Sequence, residues 1–155
     1  MITTLQEELR QNTPFARLNG EALVSVLRTA AVIDHALHEA LKPHGITPTQ
    51  YNVLRILRGA GERGLCGRDV GSRLVSRVPD VPRLLDRMTE MGLISRERDA
   101  DDRRHVTARI TPAGLRLMEE VEPVLERVET ERFGMLDEDA LRALIQSLAA
   151  VRQAG

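Results

Sequence analysis

Period-two alternation is confined to one place in this chain of 155 residues. The segments "LISRER" (93–98) and "HVTARI" (105–110) alternate as strands do, and a charged turn joins them into a hairpin. Between residues 98 and 109 that hairpin gathers Arg98, Arg103, Arg104 and Arg109 with Asp99, Asp101 and Asp102. Elsewhere the apolar residues recur at three or four positions, the spacing of helices. The pattern therefore confines the chain to a mainly α fold carrying one small β-hairpin.

The helical segments can be placed from their caps and breakers. "NGEALVSVLRTAAVIDHALHEALKPHG" repeats Leu23, Leu27, Ala30, Ile33, Leu37 and Leu41, with Asn19 as its expected N-cap and Pro43 and Gly45 as its end. "TPTQ" at residues 47–50 is a capping box with proline at the first helical position. It opens a helix carrying Val53, Leu54 and Leu57 that ends near Gly59 and Gly61. "GRDVGSRLV" reads as a short helix with Val70 and Leu74 inward, and "VPDVPRLLDRMTEMG" starts another three residues later. Pro79 and Pro82 confine that start to between Val78 and Val81, and Gly92 ends the helix. Behind the hairpin, Thr111 and Pro112 start a helix with Leu115, Met118, Val121 and Leu125 on one face, which Pro123 is expected to kink or break. A last helix, from about Asp137 to Val151, turns Leu141, Leu144, Ile145 and Leu148 inward.

Composition excludes several classes of function. Phe15, Tyr51 and Phe133 are the only aromatic residues, too few for the stacking platforms of single-strand or RNA binders. No run approaches about 18 apolar residues and "MITTLQEELRQ" lacks an apolar leader core, so no membrane partner is expected. Cys66, the single cysteine, cannot form an internal disulfide and suits a reducing, cytoplasmic setting. No phosphate-cradling glycine loop is present and the acidic residues are spread along helix surfaces, so no enzyme and no cofactor is expected.

The net charge of -1 conceals an uneven distribution. Residues 1–54 carry 4 basic and 5 acidic side chains, residues 55–109 carry 13 and 9, and residues 110–155 carry 5 and 9. Lys42 is the one lysine among 22 basic residues. The middle third is thus arginine-rich, and arginine offers bidentate donors to phosphates and guanine edges.

A short helix, a tight turn, a second helix and a hairpin follow one another in that basic third. This is the order of a winged helix-turn-helix, whose second helix enters a major groove. Val81, Leu84, Leu85, Met88 and Met91 share the inner face of that helix, which leaves Asp80, Arg83, Arg87 and Glu90 outside. Arg83 and Arg87 lie one turn apart, a spacing suited to two contacts along one groove. An arginine at the tip of the hairpin can enter a minor groove. The aspartates of the turn suit charge-assisted bonds that hold it and orient a neighbouring arginine.

The sequence resembles the MarR family of transcription regulators. The family pattern is Asp-x-Arg, five residues, then Leu-Thr-x-x-Gly; Asp102, Arg104, Thr111 and Gly114 fall at those spacings, with Ile110 replacing leucine. The likeness extends through "RLLDRMTEMGLISRERD" and "ITPTQYNVLRIL" and spans roughly residues 20–150. It implies a single domain over 1–155, with a DNA-binding lobe at about 46–111 and dimerisation helices at about 5–45 and 112–153. It implies a homodimer on double-stranded DNA and, as a function, a repressor of a pseudo-palindromic operator released by a ligand. Arg77, Asp80, Arg83, Arg87, Arg103 and Arg104 would contact DNA, and Asp102 would brace the wing. One departure is "VPDVPR", where many members begin the recognition helix with base-contacting Ser and Thr.

The resemblance further implies a pocket for a small phenolic or amphipathic effector, with Arg28, His35, His38, Tyr51 and Arg55 as candidate lining residues. The sequence also offers two other effectors: a thiol switch at Cys66, and a metal at His35 and His38 with Glu39 and His44 nearby. Neither has a complete ligand set or a resolving cysteine, so no metal site is expected. From a different class, a winged-helix protein-interaction module without DNA binding fits the same pattern.

Overall fold

The computed structural model describes residues 3–102 and 104–154. In chain order the elements are α1 (Leu5–Glu8), α2 (Leu18–Leu41), α3 (Pro48–Ala60), β1 (Leu65–Cys66), α4 (Gly67–Arg73), α5 (Val81–Glu90), β2 (Ile94–Arg98), β3 (Val106–Ile110), α6 (Pro112–Phe133) and α7 (Glu138–Gln153). Mainly helical with a small antiparallel sheet, it has the winged helix-turn-helix arrangement. The chain divides into two compact units, residues 1–36 and residues 37–155.

The first unit holds α1 and most of α2. Thr4 and Glu7 form a capping box that starts α1, a short helix that the apolar spacing does not mark. Helix α2 begins one residue before its expected cap, so Asn19 lies inside the first turn. The Arg17 carbonyl accepts the amides of Gly20 and Glu21 and sets that start.

The second unit packs one apolar cluster. Leu41, Val53, Leu54, Leu57, Val70, Met88, Met118 and Val121 are fully or almost fully buried, with Leu85 and Ile94 beside them. Thr47 caps α3 as a complete capping box with Gln50, as the sequence predicts. On α5, Leu85 and Met88 are buried while Val81 and Leu84 pack partly against the core. Met91, expected inside, is exposed and its Sδ accepts from Gln50 Nε2 at 3.8 Å. Leu115 and Ile145 are also exposed against expectation, Leu115 in a shallow groove that it lines with Arg58, Glu62 and Ile110.

Two features of the sheet go beyond the hairpin. β2 and β3 pair antiparallel from Ile94 with Ile110 to Arg98 with Val106, and β1 adds a third strand through Leu65 with Ala108 and Cys66 with Thr107. Cys66 therefore sits half-buried in a strand rather than in an open turn. A two-residue strand has no alternation to detect.

Helix α6 runs unbroken through Pro123. Proline removes one helical bond, but Met118, Val121, Leu125 and Val128 bury on both sides of it and hold the helix to the core. Its start explains the threonine and glycine of the sequence motif. Thr111 Oγ1 accepts the Gly114 amide at 3.1 Å and donates to the Gly92 carbonyl at 2.7 Å, tying helix, hairpin and α5 together. A Cβ at Gly114 would stand 2.4 Å from the Leu93 carbonyl oxygen, so only glycine permits this approach.

Candidate nucleic-acid interface and effector cavity

The connection from α4 to α5 spans residues 74–80, longer than the three-residue turn expected, because Leu74 leaves the helix with φ -64 and ψ 140. Asp80 then caps α5: its Oδ1 accepts the Arg83 amide at 3.0 Å. Asp80, expected among the outward-facing DNA contacts, thus has one carboxylate oxygen engaged in starting the helix.

Arg83 and Arg87 are exposed on α5, opposite the buried Leu85 and Met88, and Arg77 is exposed in the connection. Among the described residues, none of Arg77, Arg83, Arg87 and Arg104 makes an ion pair. The arginines behind them differ. Arg96 on β2 pairs with Asp86 of α5, and Arg109 on β3 donates to Glu97 Oε2 at 3.0 Å and to the Glu62 carbonyl at 2.6 Å. The Asp86–Arg96 pair joins α5 to the wing strand, a contact across ten residues that carries no local sequence signal.

The turn of the wing is knitted by its own acids. Asp99 Oδ1 accepts the amides of Asp101 at 2.8 Å and Asp102 at 3.4 Å. Asp102 Oδ1 accepts the Arg104 amide at 3.0 Å, and its Oδ2 meets His105 Nδ1 at 3.2 Å. These backbone N–H donors, foremost that of Asp101 for Asp99 and that of Arg104 for Asp102, hold both carboxyls below the usual aspartate range; His105 adds to the effect. Arg104 is left exposed at the turn. Arg103, also assigned to DNA from the sequence, lies outside the described residues.

Within the second unit a cavity of about 240 Å³ opens between α3, α6 and the 74–80 connection. Its apolar wall comes from Leu37, Leu41, Pro48 and Leu125, and its polar groups from Thr49, Tyr51, Asn52, Arg55, Ser76 and Glu129. Of the five residues expected there, Tyr51 and Arg55 line it. His38 does not; Leu37 and Leu41, one turn apart on α2, take the side facing the cavity. Arg28 and His35 belong to the first unit, where Arg28 Nε lies 3.7 Å from Glu8. Asn52 was missed, although Pro48, Asn52 and Arg55 recur at four and three residues and so share a helix face. Glu129, from a distant helix, gave no such signal.

Of the alternative effector residues, His44 has an ordinary partner. His44 Nδ1 lies 2.7 Å from Glu120 Oε1, and no group of three metal-binding side chains forms among the described residues. No helix among them is long and apolar enough to cross a membrane.

The helix pair, its three-stranded sheet and the unpaired outward arginines define a winged helix-turn-helix regulator. A family model described as the MarR family matches residues 44–105. The HTH-type transcriptional regulator YkoM of Bacillus subtilis (strain 168) is 30% identical over 115 residues, covering 74% of this chain and 73% of YkoM. The MarR transcription factor from Planctomyces limnophilus is 31% identical with a TM-score of 0.69, over 88% of this chain and 99% of that one. BpsR of Bordetella bronchiseptica, whose DNA binding is regulated by 6-hydroxynicotinic acid, shares the fold at a TM-score of 0.76 and 23% identity, over 86% and 99% of the two chains. The chain belongs to the MarR family: it is a DNA-binding transcription regulator, not an enzyme.

Proposed function

We propose that the protein is a homodimeric repressor of a pseudo-palindromic operator, released when a small phenolic or amphipathic anion enters the cavity. The observation that carries the DNA-contact assignment is the contrast in arginine pairing. Arg83, Arg87 and Arg104 are exposed and unpaired among the described residues, while Arg96 and Arg109 behind them are neutralised. Unpaired guanidinium groups meet phosphates without first breaking an ion pair, and they release counterions on doing so. In this reading α5 lies in the major groove with Arg83 and Arg87 at base edges or phosphates, and Arg77 contacts the backbone. Asp80 keeps Oδ2 for a cytosine amino group. Arg104, braced by Asp102 and accompanied by Arg103, enters the minor groove.

Residues 46–111 form the reading lobe, and residues 5–45 and 112–153 the dimerisation layer. Exposed apolar side chains support the second assignment. Leu23 and Leu27 on α2 are 61% and 62% exposed, and Ile145 and Val151 on α7 are 63% and 64% exposed. For the effector, Arg55 beside an apolar wall suits an aromatic ring bearing an anionic group, the chemistry of the 6-hydroxynicotinic acid to which BpsR responds. A regulator of this kind works in the cytoplasm.

Fluorescence anisotropy on duplex DNA from upstream of the gene itself, across a salt series, tests the reading. Specific binding with a steep negative salt dependence, weakened in Arg104→Ala, is the expected result. No specific binding at about 50 mM salt by an intact dimer, there or on genomic fragments, overturns it.

A further inference from the structure

Between the end of α4 and the cap of α5, the backbone has almost nothing to hold it. The Leu74 amide donates to the Gly71 carbonyl at 3.4 Å, and the next backbone bond starts only at the Asp80 carbonyl. Among the described residues, residues 75–79 make no backbone–backbone hydrogen bond. The Val75 side chain is no anchor, at 82% exposed. One side chain does fasten the segment: Asn52 Oδ1, on α3, accepts the Val75 amide at 2.8 Å. Asn52 belongs to a helix whose Val53, Leu54 and Leu57 are fully buried, so the tether is fixed to the rigid core.

We propose that Asn52 is a positioning residue for DNA reading. By holding the Val75 amide it fixes the path of residues 75–79, and with it where Asp80 starts the recognition helix. Freed, those residues regain backbone freedom that DNA binding must remove again. Asn52 and Val75 both line the cavity, with Ser76 beside them. An occupant that turns the Asn52 side chain toward itself therefore frees the Val75 amide. This last consequence rests on the effector reading above; the positioning role does not.

Operator binding, non-specific DNA binding, thermal stability and amide hydrogen exchange of the full chain would be compared for wild type, Asn52→Ala, Asn52→Asp, Val75→Pro and Arg104→Ala. Asn52→Ala weakens specific binding about five- to tenfold, the loss of roughly one hydrogen bond, with non-specific binding and Tm near wild type. Asn52→Asp keeps the acceptor and restores binding to within about twofold. Val75→Pro deletes the donor instead, and Leu74 already has the extended backbone required before proline. Combining it with Asn52→Ala binds no more weakly than the weaker single variant. The Val75 amide exchanges faster in Asn52→Ala.

Wild-type operator affinity in Asn52→Ala, alongside loss in Arg104→Ala, would overturn the positioning role and leave the DNA reading standing. Binding by Asn52→Asp as weak as that of Asn52→Ala would show that the acceptor, which the isosteric aspartate retains, is not what matters, and would also overturn it. Unchanged exchange at Val75 in Asn52→Ala removes the tether whatever the DNA result. No specific binding by wild type removes both readings.

Discussion

Asp102 holds the backbone N–H of Arg104 at 3.0 Å, two residues along the chain, while the Arg104 side chain stands exposed and unpaired among the described residues. The Asp102 carboxylate, itself exposed, spends Oδ1 on the main chain that carries the arginine.

Asp102→Ala should therefore weaken operator binding in the same direction as Arg104→Ala, by about three- to tenfold, the order expected for one or two lost hydrogen bonds. Asp102→Asn should lose less, since its amide oxygen can still accept the Arg104 N–H. Anisotropy titrations on one operator rank the three variants; an Asp102→Ala protein that binds as wild type contradicts the bracing role.

Acid should loosen the wing late. Asp99 and Asp102 are both held below the ordinary aspartate value of 3.8, first of all by the backbone amides they accept from. A carboxyl lowered in the folded state contributes fully above its unfolded value, and that contribution fades as pH falls through the folded one. The chemical shifts of the Asp101, Asp102 and Arg104 amides should thus report a transition centred below 3.8. A wing transition centred above that value would mean these bonds are not made in solution.

Gly114→Ala should destabilise the lobe by about 1–3 kcal/mol, because its methyl group would fall 2.4 Å from the Leu93 carbonyl oxygen and 2.8 Å from Ile110 Cγ1. At this chain length that is a Tm loss of several degrees by calorimetry. An unchanged Tm would show that α6 can slide away from the hairpin at no cost.

Ile145→Glu should convert a wild-type dimer to monomer in sedimentation equilibrium, and reduce operator affinity by removing one of two linked half-site contacts. Its side chain is 63% exposed in the single chain, so the same substitution should leave Tm of the monomer nearly unaltered. Wild-type protein sedimenting as monomer at micromolar concentration would contradict the dimer.

Helices α2 to α7 were legible because their signals are local, whereas α1 was not placed. Thr47 and Gln50, Thr111 and Pro112, and Gly92 with φ +73 each declare an end within four residues. The period-two segments likewise located β2 and β3 to within a residue or two. Contacts across sequence were not legible. β1 exists only because Leu65 and Cys66 meet Ala108 and Thr107, and Asp86 finds Arg96 only once α5 lies on the sheet. The cavity was half legible for the same reason: Tyr51 and Arg55 share α3 with Thr49 and Asn52, while Ser76 comes from the 74–80 connection and Glu129 from α6. Inward faces misled where the periodicity could not say which partner covers them, as at Ile145 and Leu115.

The two-residue strand β1 has a consequence for how sequence is discriminated. It pairs Cys66, the residue immediately before α4, with Thr107 on the returning strand of the wing, while Asp86 clasps the outgoing strand through Arg96. The helix pair and the wing are thereby two ends of one stiff bracket. If α5 and the wing read DNA as proposed, such a bracket would meet the major groove and the adjacent minor groove together, and a half-site would be accepted or refused as a whole. Base changes beneath α5 and beneath the wing should then be felt jointly, with a penalty for both that differs from the sum of the two.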